Sequence, residues 1–413
     1  MSIASYVGRV LDTAKADGLA ANKRNGPSLL SREVWRDAAI IWAIQFALVA
    51  AITYFGRILI LEPSGTTPAL TWQSMFQSWL NWDAANYLFI AKHGYYAFWL
   101  TRYFPLLPWL EHLVAPLTGG NPGAAGIVIS NLSALGAIGL LRGLVEREWG
   151  RAVARRTILY LALFPTAFFF NVAYAESLYV LLCVGAFLAL RRGNWIAAGL
   201  LAGLGALARP VGILLLIPIA VEALSRMRAS GQLPRLRELA AMVTGVALPV
   251  AALAGFALYL ARLYGSLTII LQSSGSDGAP GSGKNLALPG IGFARAGHAL
   301  LTEGLAPNFI QVHILLDSAF TLGLIALVVA TTRRLPLPYV CYAWAVLILL
   351  ICTPGHNWYA LYSNMRFILE IFPVFIVLGI WGERRNVERV LLIVFLPLLA
   401  LLTLTFMLGF WVA

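Results

Sequence analysis

Long apolar runs separated by short polar turns set the pattern of this chain. A helix needs about 20 apolar residues to cross a bilayer, and eleven segments approach that template, near 38–60, 123–144, 154–172, 174–190, 194–208, 210–224, 237–261, 308–331, 337–353, 366–381 and 389–411. The fold class this predicts is an all-α polytopic membrane protein. Its organisation is a cytoplasmic N-terminal segment at 1–37 followed by a single membrane domain at 38–413. Several spans are short or joined by almost nothing, notably around Asn171–Glu176 and Arg209-Pro210. Such interruptions predict broken helices lining a cavity. Two connections are long, 61–122 and 263–307. The first has helical spacing from Trp72 to His93, which predicts amphipathic helices along the membrane surface. The second contains Gln272–Lys284, rich in Gly and Ser, which reads as a flexible loop or lid.

Composition agrees with the pattern. With 60% hydrophobic and 12% charged residues and a mean hydropathy of +0.79, a soluble domain is excluded. Residues 1–37 lack the apolar core of a signal peptide, so the first span is expected to stay in place. Tyr6–Leu19 can be read as an interfacial helix. Cys183, Cys341 and Cys352 lie in apolar runs with no ligand spacing, so neither disulfides nor zinc are expected.

The net charge of +12 is a matter of sidedness. With the N-terminus inside, 22 of the 30 Lys and Arg residues fall in inner loops, from Arg9 to Arg36, Arg142 to Arg156, Arg191-Arg192, Arg226 to Arg237, Arg333-Arg334 and Arg384 to Arg389. This is the positive-inside signature. It calls for anionic headgroups and no nucleic acid. The outer side keeps eight basic residues, among them Lys92, Arg102, Arg209 and Arg366, together with Asp83, Glu176, His93 and His356.

That outer set holds the candidate chemistry. Asp83, in Asn81-Trp82-Asp83-Ala84-Ala85-Asn86-Tyr87, sits where a carboxylate is partly desolvated and can act as a general base; it could equally cap a helix. Glu176 opens an apolar run at membrane depth, where an unpaired carboxylate costs about 2.5 kcal/mol or more, although a helix N-terminus also favours an acid. Arg209 and Arg366 carry the planar fork that holds phosphate, and each also has a plain reading, as a snorkelling residue and as an i,i+4 partner of Glu370. Lys92, His93, Arg102 and His356 are lesser cationic candidates. The aromatics Trp72, Trp79, Trp82, Tyr95, Tyr96, Trp99, Tyr103 and Trp109 suit an interfacial belt and, beside polar groups, a sugar ring. No metal site is visible. Gly278–Lys284 has the letters of a phosphate-binding loop but no preceding strand and Asn285 after the Lys, so that reading is set aside.

Taken in order, Trp82-Asp83, Tyr87-Leu88-Phe89-Ile90-Ala91-Lys92-His93-Gly94-Tyr95, Phe104-Pro105-Leu106-Leu107-Pro108, Asn171-Val172-Ala173-Tyr174-Ala175-Glu176-Ser177-Leu178-Tyr179, Ala208-Arg209-Pro210-Val211-Gly212 and Arg366-Phe367 make the chain resemble the PIG-V mannosyltransferase family, within the GT-C class. The resemblance runs from about residue 75 to 380. It departs from the eukaryotic pattern at Ala84-Ala85, where a Gly is common after the Asp. It implies a GT-C-like fold with its catalytic carboxylate in the first outer loop, which matches Asp83, and inverting transfer of a hexose, usually mannose, from a polyprenyl-phosphate donor. The acceptor would be a glycan, lipid or protein. Arg209 and Arg366, helped by Lys92, His93, Arg102 and His356, would hold the lipid phosphate, Glu176 would position the acceptor or an arginine, and Trp82 would contact the sugar. No cofactor is called for. Short loops and no endoplasmic-reticulum signal fit a prokaryotic plasma-membrane member with its active site outside. A transporter or lipid flippase is the alternative, since broken helices and buried charges suit it too.

Overall fold

The computed structural model describes residues 31–56, 58, 76–231, 234–269, 286–302, 309–355, 360–361 and 363–412. The Tyr6–Leu19 helix, Arg57, Trp72, the Gln272–Lys284 loop and His356 lie outside the described residues. Within them the chain is helical, without a strand. The helices are α1 (Arg32–Gly56), α2 (Asp83–His93), α3 (Leu106–Val114), α4 (Pro122–Trp149), α5 (Arg151–Ala162), α6 (Glu176–Arg191), α7 (Trp195–Ala208) and α8 (Leu216–Ser230). They continue as α9 (Leu236–Tyr264), α10 (Ile291–Thr302), α11 (Phe309–Arg334), α12 (Leu337–Cys352), α13 (Asn364–Phe367), α14 (Phe372–Trp381) and α15 (Arg385–Met407).

Six of the described helical stretches are long and apolar enough to cross a membrane: Arg32–Gly56, Pro122–Trp149, Pro210–Ser230, Leu236–Tyr264, Gln311–Arg334 and Arg385–Met407. A seventh arises if Asn364–Glu370 and Phe372–Trp381, bent by 83°, are one broken span. Among the described residues this confirms six or seven of the eleven expected spans by length and composition; others are helical but short, such as Trp195–Ala208 and Leu337–Cys352. At about 1.5 Å per residue, the 14 residues of α7 reach about 21 Å, short of a bilayer core of about 30 Å.

Non-helical backbone inside such a bundle must find its hydrogen bonds locally. The segment between α5 and α6 does so with side chains from its neighbours. Gln45 on α1 donates to the Ala167 carbonyl at 2.8 Å, and Asn131 and Ser130 on α4 donate to the Asn171 and Tyr174 carbonyls, both at 2.9 Å. Asn171 returns a bond to Asn131 at 2.9 Å, and Thr166 donates to the Met365 carbonyl at 3.1 Å. The buried break is therefore a specified part of the fold, and it delivers Glu176 to the start of α6.

Glycines make the other close approach. A side chain at Gly199 on α7 would strike the Gly245 carbonyl of α9 at 2.5 Å, and one at Gly212 would run into the Gly205 backbone. The first contact lets α7 and α9 touch backbone to backbone. The second lets the chain double back after α7, with Arg209 extended at the corner (φ −151°, ψ 145°) and followed by the 3₁₀ turn Pro210–Leu215.

Candidate active site

Asp83 is the first residue of α2 and not its cap. The capping position belongs to Trp82, whose backbone stands at φ 58°, ψ −119°, a region that favours glycine. The expected helical run from Trp72 to His93 is interrupted here, in its described part, by a 3₁₀ turn at Gln77–Leu80 and the bend at Asn81-Trp82. Neighbouring helices pin this bend. The indole of the fully buried Trp79 donates to Thr53 on α1 at 3.0 Å, and Asn81 donates to the Phe406 carbonyl on α15 at 3.2 Å.

Arg366 comes from the other end of the chain. Ser363, at φ 65°, opens α13 in the left-handed region. From α11, Asp317 accepts from the Met365 amide and Thr321 accepts from Asn364, each at 3.2 Å. That short helix aims the Arg366 guanidinium at two carboxylates. Nη1 donates to Asp83 Oδ2 at 2.8 Å, and Nε donates to Glu176 Oε1. Arg209 Nη1 donates to the same Glu176 oxygen, and Arg209 Nε meets Glu370 Oε1 at 2.7 Å. Glu370 thus serves Arg209, where the sequence offered it as the i,i+4 partner of Arg366.

The result is a line of alternating charge, Asp83, Arg366, Glu176, Arg209 and Glu370, drawn from α2, α13, α6, the corner after α7 and the turn before α14. Three carboxylates face two guanidiniums, so the line as a whole carries one negative charge too many. Burial falls off toward one end: the Glu176 and Glu370 side chains are 0% and 2% exposed, whereas Asp83 keeps 19%. Glu176 Oε2 is buried with no hydrogen-bond partner, an acceptor left open beside the two arginines.

Aromatic side chains wrap the line. The Arg366 guanidinium lies 4.6 Å from the Tyr174 ring centre and 4.8 Å from that of Phe169, and Arg209 lies 5.0 Å from Phe367. The Tyr103 hydroxyl makes a long bond to Asp83 Oδ1 at 3.4 Å and accepts from Asn86 at 2.8 Å. Tyr87, one turn beyond Asp83, is buried, and burial pushes its phenol above the usual tyrosine range, with Arg209 acting in the opposite direction.

The remaining sequence candidates stand apart. Lys92 and His93 are exposed at the far end of α2, about 13 Å along the axis from Asp83. Arg102 lies 5.3 Å from the Tyr103 ring centre, next to a residue that touches Asp83. Trp82 is 41% exposed and edge-on to Trp411 at 5.3 Å. Sequence reasoning gave no role to Tyr174, Phe169 or Trp411. Tyr174 had a signal, standing two residues before Glu176 in the same motif, whereas nothing local marks Trp411. No group of three or more His, Cys, Asp or Glu side chains among the described residues is arranged to hold a metal ion.

Comparison with known proteins gives three findings. A family model described as Mannosyltransferase (PIG-V) matches residues 58–313, more than half of the chain, a region that holds Asp83, Glu176 and Arg209 but not Arg366 or Glu370. The GPI alpha-1,6-mannosyltransferase 2 of Rattus norvegicus is 29% identical over 163 residues, which is 37% of this chain and 33% of the rat protein. The chain thus spans only about a third of that relative. Among solved structures, an oligosaccharyltransferase of Archaeoglobus fulgidus, in a complex with Zn and sulfate, superposes with a TM-score of 0.41 at 13% identity, covering 90% of this chain and 53% of the other. The same organism's AglB, in complex with an inhibitory peptide and a dolichol-phosphate, gives a TM-score of 0.37 at 13% identity, with 88% and 55% covered.

Proposed function

The chain belongs to the mannosyltransferase (PIG-V) family of integral membrane proteins, and from that premise we propose that it moves a hexose, mannose by preference, from a polyprenyl-phosphate donor to a glycan, lipid or protein acceptor. In this reading it is a GT-C enzyme of a prokaryotic plasma membrane, with 38–413 as one catalytic domain, the N-terminus in the cytoplasm and the site facing outward. Asp83 is the base. It takes the proton of the acceptor hydroxyl as that oxygen bonds to the anomeric carbon from the side opposite the phosphate. The sugar–phosphate bond breaks, polyprenyl phosphate leaves, and the anomeric configuration inverts.

The observation that carries this reading is the placement of Asp83 as the least buried carboxylate of a five-membered charge line that has one negative charge in excess. A base must be ionised, held in place and within reach of substrate. Arg366 supplies charge and direction, and the open edge supplies reach. Arg366 and Arg209 give the site fixed positive charge against the departing phosphate, while Lys92, His93, Arg102 and His356 attract the headgroup from the water side. Glu176 orients both arginines, and Trp82 presents an exposed ring to the sugar.

The test is transfer by the full chain in lipid vesicles supplied with radiolabelled undecaprenyl-phosphate-mannose and a bacterial lipid and glycan extract as acceptor. The expected result is a labelled product whose new glycosidic bond is opposite in anomeric configuration to the donor. A product of retained configuration contradicts the mechanism. Movement of intact donor across the bilayer without a new glycosidic bond supports a flippase instead.

A further inference from the structure

We infer that Tyr174 is the positioning residue that holds both halves of the Asp83–Arg366 pair in register, using its hydroxyl for one half and its ring for the other. The inference rests on the reading of Asp83 as base and adds a side chain to which that reading gives no part.

The hydroxyl straddles Trp82, whose backbone stands at φ 58°. The Asp83 amide donates to Tyr174 Oη at 3.1 Å, and Tyr174 Oη in turn donates to the Asn81 carbonyl at 3.2 Å. These bonds join the residues on either side of Trp82. A bulky residue in a glycine-favoured conformation persists only where its surroundings over-determine it, and the two bonds are part of that constraint. The ring does the second job. Its centre lies 4.6 Å from the Arg366 guanidinium that grips Asp83 Oδ2. Tyr174 is itself fixed, being buried, with its own carbonyl held by Ser130 at 2.9 Å and its ring against Phe169 at 5.0 Å and Phe406 at 5.9 Å. One immobile side chain therefore fixes the backbone that launches the carboxylate and the face of its cationic partner.

This predicts a specific division of effects. In Tyr174→Phe the ring and its contact with Arg366 remain, while the clamp on Asn81 and Asp83 is lost. A misplacement on the order of 1 Å can cost about a hundredfold in rate, so kcat is expected to fall about tenfold to a hundredfold with the donor KM changed by no more than about twofold. Trp82→Gly removes the need for the clamp, because glycine adopts the conformation without strain. Adding Tyr174→Phe to Trp82→Gly is therefore expected to lower kcat less than about threefold further. A merely structural tyrosine would cost the same in both backgrounds.

The experiment measures kcat and KM for wild type, Tyr174→Phe, Trp82→Gly, the double variant and Asp83→Asn, with amide hydrogen exchange of the peptide covering residues 81–85 in each. The expected result is a kcat lowered by Tyr174→Phe in the wild-type background but by less than about threefold when it is added to Trp82→Gly, each compared with its own parent, together with faster exchange at Asp83 in Tyr174→Phe. Unchanged kcat and unchanged exchange in Tyr174→Phe overturn the inference, as does an equal loss in both backgrounds. If Asp83→Asn proves as active as wild type, the base assignment fails separately. If no transfer is seen at all, exchange at Asp83 decides the positioning by itself, faster exchange supporting it and unchanged exchange overturning it.

Discussion

The two ends of α6 carry two charge networks, largely withdrawn from solvent, of opposite character. At the Arg191 end, about 22 Å from Glu176 along the helix, Arg191 meets Glu148 at 2.7 Å and Glu222 at 3.5 Å, Arg226 meets Glu222 at 2.9 Å, and Tyr339 donates to Glu148 at 3.0 Å. These two acids and two bases balance. One of the pairs is the short-range kind that a single helix makes unaided, and Arg226 packs 5.0 Å from the Trp195 ring centre. The Asp83 end gathers five charged groups from five elements, has one negative charge in excess and is least buried at Asp83. It is also bordered by Trp82 and Ser363, the positive-φ residues other than glycine among the described positions. Burial and ion pairing are common to both networks and so say little about function. Partial exposure is shared too, Arg226 being 32% and Asp83 19% exposed, so surplus charge and positive-φ backbone at non-glycine residues are what set the Asp83 end apart.

Conservative substitutions at the two arginines should separate the networks most widely. Lysine keeps the charge but cannot present two fixed donors at once. Arg366→Lys is expected to lower transfer by at least about a hundredfold, whereas Arg191→Lys should leave the kcat of the folded protein within about threefold of wild type. Equal losses from the two would erase the distinction drawn here. Outright removal of either arginine costs the carboxylates around it a cation while each network keeps part of its bonding, and unfolding in detergent should show both Arg366→Ala and Arg191→Ala destabilised, by about 1–3 kcal/mol. Stability is thus where the two ends should agree.

Another buried acid sharpens the contrast by having no cation beside it among the described residues. Glu111 on α3 is fully buried, neither carboxyl oxygen has a hydrogen-bond partner, and burial raises its carboxyl well above the ordinary value of 4.5. The folded chain therefore keeps a proton that the unfolded chain releases, so its contribution to stability is full below pH 4.5 and declines as pH rises above it. Glu111→Gln is expected to flatten that decline and raise the unfolding temperature at pH 7 by a few degrees. An unchanged pH profile would show that Glu111 does not hold a proton in the fold. The smallest expected effect lies outside both networks: Lys92→Ala should raise the donor KM about two- to fivefold at low salt and have little effect above about 0.5 M salt, where surface charge is screened.

How far this division could be read from the sequence depends on what each feature needs. Asp83, Glu176, Arg209 and Arg366 stood out as charges kept on one side against a strong bias. Their convergence needed the corner at Arg209, the break before Glu176 and the bend after Glu370, which are tertiary features built from glycine contacts and side-chain to backbone bonds. The distance of Lys92 was legible in principle, since nine residues of helix are two and a half turns and put it on the face opposite Asp83. The strain at Trp82 was not, because tryptophan has no preference for that backbone and the clamp comes from a residue 92 positions later. Trp411 reaches Trp82 only through the packing of α15, to which no local pattern points.

In the proposed mechanism Asp83, the least buried carboxylate of the line, does the chemistry. Single-turnover transfer from radiolabelled undecaprenyl-phosphate-mannose by purified wild type and by Asp83→Asn tests it most directly, with unfolding temperatures recorded for both. Asparagine keeps the shape but cannot take a proton, so the rate constant is expected to fall by about a hundredfold to ten-thousandfold while the variant stays folded. A folded Asp83→Asn protein that transfers sugar at the wild-type rate would rule out Asp83 as the base.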